Sequence, residues 1–315
     1  MFGVSVRVFA IILLVSVVSA CMVEGRAPGP KPPGGPGGAR GAQSGPPSRY
    51  HDETRAGTLD LVPATVNPGA NEVSVSERGK SLRIVGNGIP DHLVGRFPNR
   101  GNPNRISEQR VSLQVPLNPT KAGRITPLVM GWNFGVSVDG VVFDPLAAEF
   151  WQGDRNSGWD YNALGGAIAL GLDANHAHVQ PQGTYHYHGV PLGLTEMLGW
   201  TPDSHSPLIG YAADGFPIYA LTGNSGGVRE MTSSYRLKTG TRPGGEAPDG
   251  RYDGTFIQDY TYVAGAGNLD RCNGAFTVSA EYPQGTYAYF LSRTFPVVPR
   301  CFTGTPDQSF HFRRR

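Results

Sequence analysis

No part of this 315-residue chain carries the sustained apolar period of a long amphipathic helix, so a helical architecture is excluded. Cysteine is scarce, with three residues in all, which argues against iron–sulfur and soft-metal sites built on thiolate. Charge is nearly balanced at a formal +2, so a nucleic-acid partner is not implied. No nucleotide or flavin cofactor is expected. Long apolar runs are missing after the first 20 residues, and the one at the start, Val8 to Val18, is too short for a membrane span of about 20 residues.

That apolar run follows Arg7 and ends in Val18-Ser19-Ala20-Cys21. An apolar segment followed by small residues is the pattern of a secretory signal over residues 1–20. Val18 to Cys21 resembles the lipobox of bacterial lipoproteins, which implies lipidation of Cys21 and anchoring to a membrane. An ordinary signal peptide with an incidental cysteine is the alternative. Met22 stands where an aspartate would suggest inner-membrane retention, so the outer membrane is the expected address. With Cys21 set aside, Cys272 and Cys301 form an even pair in an oxidising compartment and are expected to be disulfide-bonded. The alternative is two buried free thiols.

Residues 21–50 are rich in proline and glycine and poor in large apolar side chains. Such a segment cannot bury enough surface to offset its ordering entropy and is expected to act as a flexible tether. Residues 51–315 then form one β-rich domain, of sandwich or barrel type, with an internal duplication and a few short helices expected at 146–151 and 192–198. Short strand signals such as Ser81 to Val85 and Ser112 to Val115 are punctuated by Gly, Pro, Asn and Asp.

The duplication is visible in two places. Pro181-Gln182-Gly183-Thr184-Tyr185-His186-Tyr187-His188 is matched by Pro283-Gln284-Gly285-Thr286-Tyr287-Ala288-Tyr289-Phe290. More loosely, Gly135 to Phe143 parallels Gly210 to Ile218, each with a central Asp-Gly pair. Asp-Gly between alternating segments reads as a tight hairpin turn. Because the tyrosines occur in both copies and the histidines in one, the strand does not need His186 and His188 in order to form.

Four of the eight histidines lie within thirteen residues: His176, His178, His186 and His188. Side chains at i and i+2 of a strand share a face. A hairpin centred near Gln182 sets His178 opposite His186 and His176 opposite His188, with directly opposed Cβ atoms about 5 Å apart. Four imidazoles crowded together offer nitrogen lone pairs to zinc or copper. The bland alternative is a polar or tyrosine-lined groove in which they only hydrogen-bond. His205 is a candidate outer ligand or proton shuttle, or a loop residue in solvent. Asp173 is the first candidate for a carboxylate that orients a metal-bound imidazole, with Asp214 next, although Asp214 and Asp139 are more often turn residues.

At these residues the chain resembles the YHYH-domain family, named for the tetrapeptide at Tyr185 to His188. The resemblance includes Leu172-Asp173-Ala174, His178-Val179-Gln180-Pro181, Gly210 to Tyr219, Leu269 to Gly274 and Tyr287 to Pro299, and spans about Val136 to Cys301. It implies an exported protein and no particular activity. Gly183 to His188 also looks like a copper-ligand strand of multicopper oxidases. A blue-copper site needs a cysteine beside its histidines. Neither Cys272 nor Cys301 has one nearby, so an oxidase of that type is rejected.

Three functions remain open. The first is an exported metal-binding lipoprotein. The second is a metal-dependent hydrolase of the cell envelope, with Asp173, Asp214 or His205 as base. The third is a non-catalytic module for glycans or envelope polymers, resting on Tyr185, Tyr187, Trp200, Tyr211, Phe216 and Tyr219.

Overall fold

A computed structural model describes residues 61–312. The signal segment, Cys21, the Pro/Gly-rich segment and the first ten residues of the expected domain lie outside the described residues.

Three antiparallel strands come first: β1 (Val73–Arg78), β2 (Ser81–Gly86) and β3 (Val111–Pro116). Strand β4 (Thr126–Pro127) later pairs with the last one. The eight strands of the main sheet are β5 (Gly135–Ser137), β6 (Val142–Phe143), β7 (Ala177–Val179), β8 (Tyr185–Tyr187), β9 (Leu208–Ala212), β10 (Pro217–Ala220), β15 (Gly274–Thr277) and β16 (Thr286–Leu291). Two two-stranded antiparallel sheets intervene, β11 (Thr222–Asn224) with β12 (Val228–Glu230) and β13 (Tyr235–Leu237) with β14 (Tyr260–Tyr262). Strand β17 (Cys301–Phe302) closes the series.

The main sheet runs β15-β16-β10-β9-β5-β6-β8-β7 and is built twice. Read outward from the central β5–β9 pair, each half has an antiparallel hairpin, then a parallel pair, then an antiparallel edge strand. Strands β5, β6, β7 and β8 thus correspond to β9, β10, β15 and β16. Both Asp-Gly pairs are the expected hairpin turns, with Gly140 at φ 83° and Gly215 at φ 89°, the left-handed region that glycine enters without a Cβ penalty. Their hydrogen bonds match as well: Ser137 N–H donates to the Val141 carbonyl, and Ala212 N–H to the Phe216 carbonyl.

The three-stranded sheet supplies Ile84, Leu113 and Val115 to the same core as Val136, Tyr187, Ile218 and Tyr289, so two sheets enclose one apolar interior. The all-β expectation holds. Of the two expected helices, α1 (Leu192–Met197) forms. The segment 146–151 does not. Phe150 there is extended and bridges Asp160, and only a single 3₁₀ turn follows, over Trp151–Gly153. The disulfide between Cys272 and Cys301 is formed, with Cα atoms 5.2 Å apart. No helix among the described residues is long and apolar enough to cross a membrane.

Below the sheet, four buried tyrosines donate to four aspartates in symmetric pairs. Tyr185 donates to Asp173 at 2.7 Å and Tyr287 to Asp270 at 2.9 Å. Tyr187 donates to Asp139 at 3.2 Å and Tyr289 to Asp214 at 2.6 Å. Burial, reinforced by the facing carboxylates, pushes all four phenols above their ordinary pKa. These are scaffold contacts, present in both halves.

Candidate metal centre

The opposite face of β7 and β8 carries the histidines. His178 pairs with His186 across the antiparallel ladder, in the register expected from the sequence. The turn between them, Pro181 to Gly183, is closed by Gly183 N–H donating to the Gln180 carbonyl at 2.8 Å. His188 follows β8 two residues after His186, so both project to one side.

The three rings form a near-equilateral triangle, with centroids 4.7, 4.8 and 4.7 Å apart. Their inner nitrogens converge: His186 Nε2 lies 3.0 Å from His188 Nε2, which lies 3.1 Å from His178 Nε2. In a tetrahedral site with metal–nitrogen bonds of about 2.0–2.1 Å, ligand nitrogens stand about 3.3–3.4 Å apart. The triangle is thus within a few tenths of an ångström of a metal-bound arrangement.

The outer nitrogens fix the chemistry. His178 Nδ1 lies 2.8 Å from the Leu170 carbonyl and His186 Nδ1 lies 3.3 Å from the Thr184 carbonyl. A carbonyl only accepts, so each Nδ1 is the N–H, and in a neutral ring each Nε2 is then an acceptor. His188 Nε2 holds at most one proton to share with two such acceptors. A cation satisfies all three at once. Backbone carbonyls on the outer nitrogens are also the usual way a ligating imidazole is oriented.

Burial of His188 pushes its pKa well below the ordinary 6.5, and the neighbouring His186, His178 and Arg300 push the same way. No group makes a well-formed hydrogen bond to its Nδ1, although the Pro145 carbonyl is close enough to favour the charged ring to a lesser degree. His186 and His188 are buried while His178 is partly exposed, so the centre opens to solvent past His178. Among the described residues, His178, His186 and His188 are the group whose ligand atoms all lie within 4.8 Å of one another.

The other expected site residues lie elsewhere. His176 keeps the backbone pairing, since His188 N–H donates to its carbonyl at 2.8 Å. Its φ of 52° takes it out of the strand, however, and its Nδ1 donates to the Val190 carbonyl at 2.8 Å. Asn273, the matching residue of the second half, has a φ of 55°, so the position is a fixed turn of the repeat rather than a ligand position. Burial lowers the pKa of His176.

Asp173 orients no ligand imidazole. It accepts from Tyr185 and from the backbone N–H groups of Gly95, Asn175 and Ala177 on the tyrosine side. Asp214 belongs to the second half, where it accepts from Tyr289 and Gly304, and burial raises its pKa. His205 is bound to Thr277 Oγ1 at 2.8 Å and stacks edge-on against Tyr219, again in the second half. Strand alternation of the tyrosines explains the two aspartates. Both partner the tyrosines, which point away from the histidines.

One residue on the histidine face escaped sequence reasoning. Asp144 follows β6, whose Val142 and Phe143 pair in parallel with His186 and Tyr187. It is buried and accepts from Gln180 Nε2 at 3.2 Å. Its approach depends on a parallel pairing across about 40 residues of chain, for which no local pattern exists.

A family model described as YHYH protein matches residues 112–304. The chain belongs to the YHYH protein family. The match takes in β3 from Ser112 onward, the whole eight-stranded sheet and both disulfide cysteines, and extends beyond the 136–301 expected from the motifs. Residues 112–130, expected to stand outside the best-matched part, are inside it. No curated protein and no solved structure matches the chain. The YHYH tetrapeptide itself divides by face, with two tyrosines for the scaffold and two histidines for the centre. Replacing Tyr187 by Phe is therefore expected to cost stability, about 1–3 kcal/mol for the buried Asp139 and His92 left without their hydroxyl. Metal affinity should be unchanged. Urea unfolding and metal titration of one preparation check both.

Proposed function

We propose that this YHYH protein is an exported, lipid-anchored protein whose β domain binds one zinc or copper ion through His178, His186 and His188. The observation that carries the reading is the convergence of three Nε2 atoms, two of them made acceptors by carbonyls behind the rings. Imidazole-only ligation suits either ion. Support for the cellular address comes from the apolar run ending at Cys21 and from the Cys272–Cys301 disulfide, a bond that persists in oxidising compartments.

Titrating metal-stripped protein with zinc or copper by calorimetry tests the centre. One binding event per chain is expected, weakened roughly a hundredfold or more in His188→Ala, since even the loss of an outer-shell partner costs 10–100-fold. Heat that saturates equally in wild type and variant would overturn the assignment.

A metal-dependent hydrolase of the envelope is the second reading, favoured by the ligand count. Three imidazoles leave one position of a tetrahedral ion for water or substrate. The glycan-binding alternative loses its main support, because Tyr185, Tyr187, Phe216 and Tyr219 are buried.

A further inference from the structure

The second half of the sheet serves as an internal comparison for the centre. Strand correspondence aligns His178 with Ala275, since each faces the residue aligned with its partner: His178 pairs with His186, and Ala275 with Ala288. His188 aligns with Phe290. In the same frame Asp144 aligns with Tyr219, because Phe143 pairs with Tyr187 just as Ile218 pairs with Tyr289. Gln180 aligns with Thr277, as each N-terminal neighbour in its strand keeps register.

The two faces of the repeat differ in what was kept. On the tyrosine face all four Tyr–Asp pairs are retained. On the other face the His178, His186, His188 and Asp144 set becomes Ala275, Ala288, Phe290 and Tyr219. Those four belong to one apolar cluster with Met231 and Leu269. Asp144 therefore changes type together with the three histidines and not with the scaffold.

Geometry agrees with this grouping. Asp144 projects from the β6 side and Gln180 from the β7 side, with β8 between them. Their contact at 3.2 Å must pass over the face of β8 that carries His186. The carboxylate is buried, yet it stands outside the group of ligand atoms lying within 4.8 Å of one another. That separation suits a group acting through an intervening molecule and not a fourth direct ligand.

We propose that Asp144, held by Gln180, is a positioning residue of the centre, which accepts a hydrogen bond from the exchangeable ligand on the fourth position of the ion and disfavours anions there. The proposal rests on the three-histidine metal reading. It gives the YHYH centre a fixed acceptor beside its open position, with a neutral hydrogen-bond donor such as water as the preferred occupant.

Cobalt(II) loading of the full chain tests this, with visible absorption, elemental analysis and thiocyanate titration as readouts. Asp144→Asn should keep one cobalt per chain, alter the ligand-field bands and bind thiocyanate about tenfold more tightly. Gln180→Leu should shift the bands in the same sense by a smaller amount, and it serves if Asp144→Asn does not fold. Unchanged bands and thiocyanate affinity in the variants that load cobalt would overturn the role of Asp144. Loss of cobalt from Asp144→Asn would overturn it too, by making the carboxylate a direct ligand. Failure of the wild type to bind cobalt would instead overturn the three-histidine centre itself.

Discussion

Replacing His178, His186 and His188 together by Ala, Ala and Phe, the residues of the second half, is expected to raise the melting temperature of the metal-free protein. The reason is electrostatic and local. Without an ion, the imidazoles of His178 and His186 converge on the buried His188, whose Nδ1 makes no well-formed hydrogen bond, and an unsatisfied buried polar group costs about 1–3 kcal/mol. The second half shows that the same strand register accommodates Ala275, Ala288 and Phe290 in an apolar cluster. A gain of about 1–3 kcal/mol over the metal-free wild type should appear in urea unfolding. A variant less stable than the metal-free wild type would mean that the triad is a satisfied structural network needing no ion.

The second large effect is the coupling of pH and metal to stability. Burial holds His188 neutral in the folded chain, with a pKa well below 6.5, whereas the unfolded chain takes up a proton on that ring near pH 6.5. The unfolded state then binds more protons as the pH falls, so metal-free stability is intact above about pH 6.5 and declines below it. The slope for this ring is up to about 1.4 kcal/mol per pH unit, until the folded ring also protonates. The triple variant should lose at least that part of the slope, while the part due to His176, which it retains, should persist. Zinc at a thousandfold excess over its dissociation constant should add about 4 kcal/mol at neutral pH. That corresponds to a rise of roughly 10 °C in Tm for a domain of this size. The rise should shrink below pH 6, as protons compete for the ligand nitrogens. Thermal unfolding from pH 4.5 to 8, with and without zinc, reads both effects. A zinc shift of equal size in the triple variant would place the ion elsewhere.

Much of the centre was legible because its geometry is local. Two His-x-His spacings around a Pro-Gln-Gly turn fix a hairpin, and a hairpin fixes which rings face each other. His176 broke that pattern through backbone conformation alone. Its left-handed φ is a property of the repeat, shared by Asn273, and alternation cannot foresee it. Asp173 lies three residues before His176 and Asp214 sits in a hairpin turn, but each accepts from a tyrosine on the face away from the histidines. Asp144 was invisible for the opposite reason. It is distant in sequence and reaches the site through the parallel β6–β8 pair.

The duplication was legible at both ends of the repeat, including the loose Asp-Gly correspondence, because turn glycines and buried tyrosines persist when the rest of a strand changes. Strand order was not legible. Hairpin partners follow from turns, but the β6–β8 and β10–β16 pairings are non-local and depend on the core.

The most direct measurement is elemental analysis of the purified protein and its triple histidine variant after expression in zinc- and copper-replete medium. About one zinc or copper per wild-type chain, and close to none in the variant, is the expected result. A wild-type chain without metal, or a variant carrying as much as the wild type, would contradict a centre built on His178, His186 and His188.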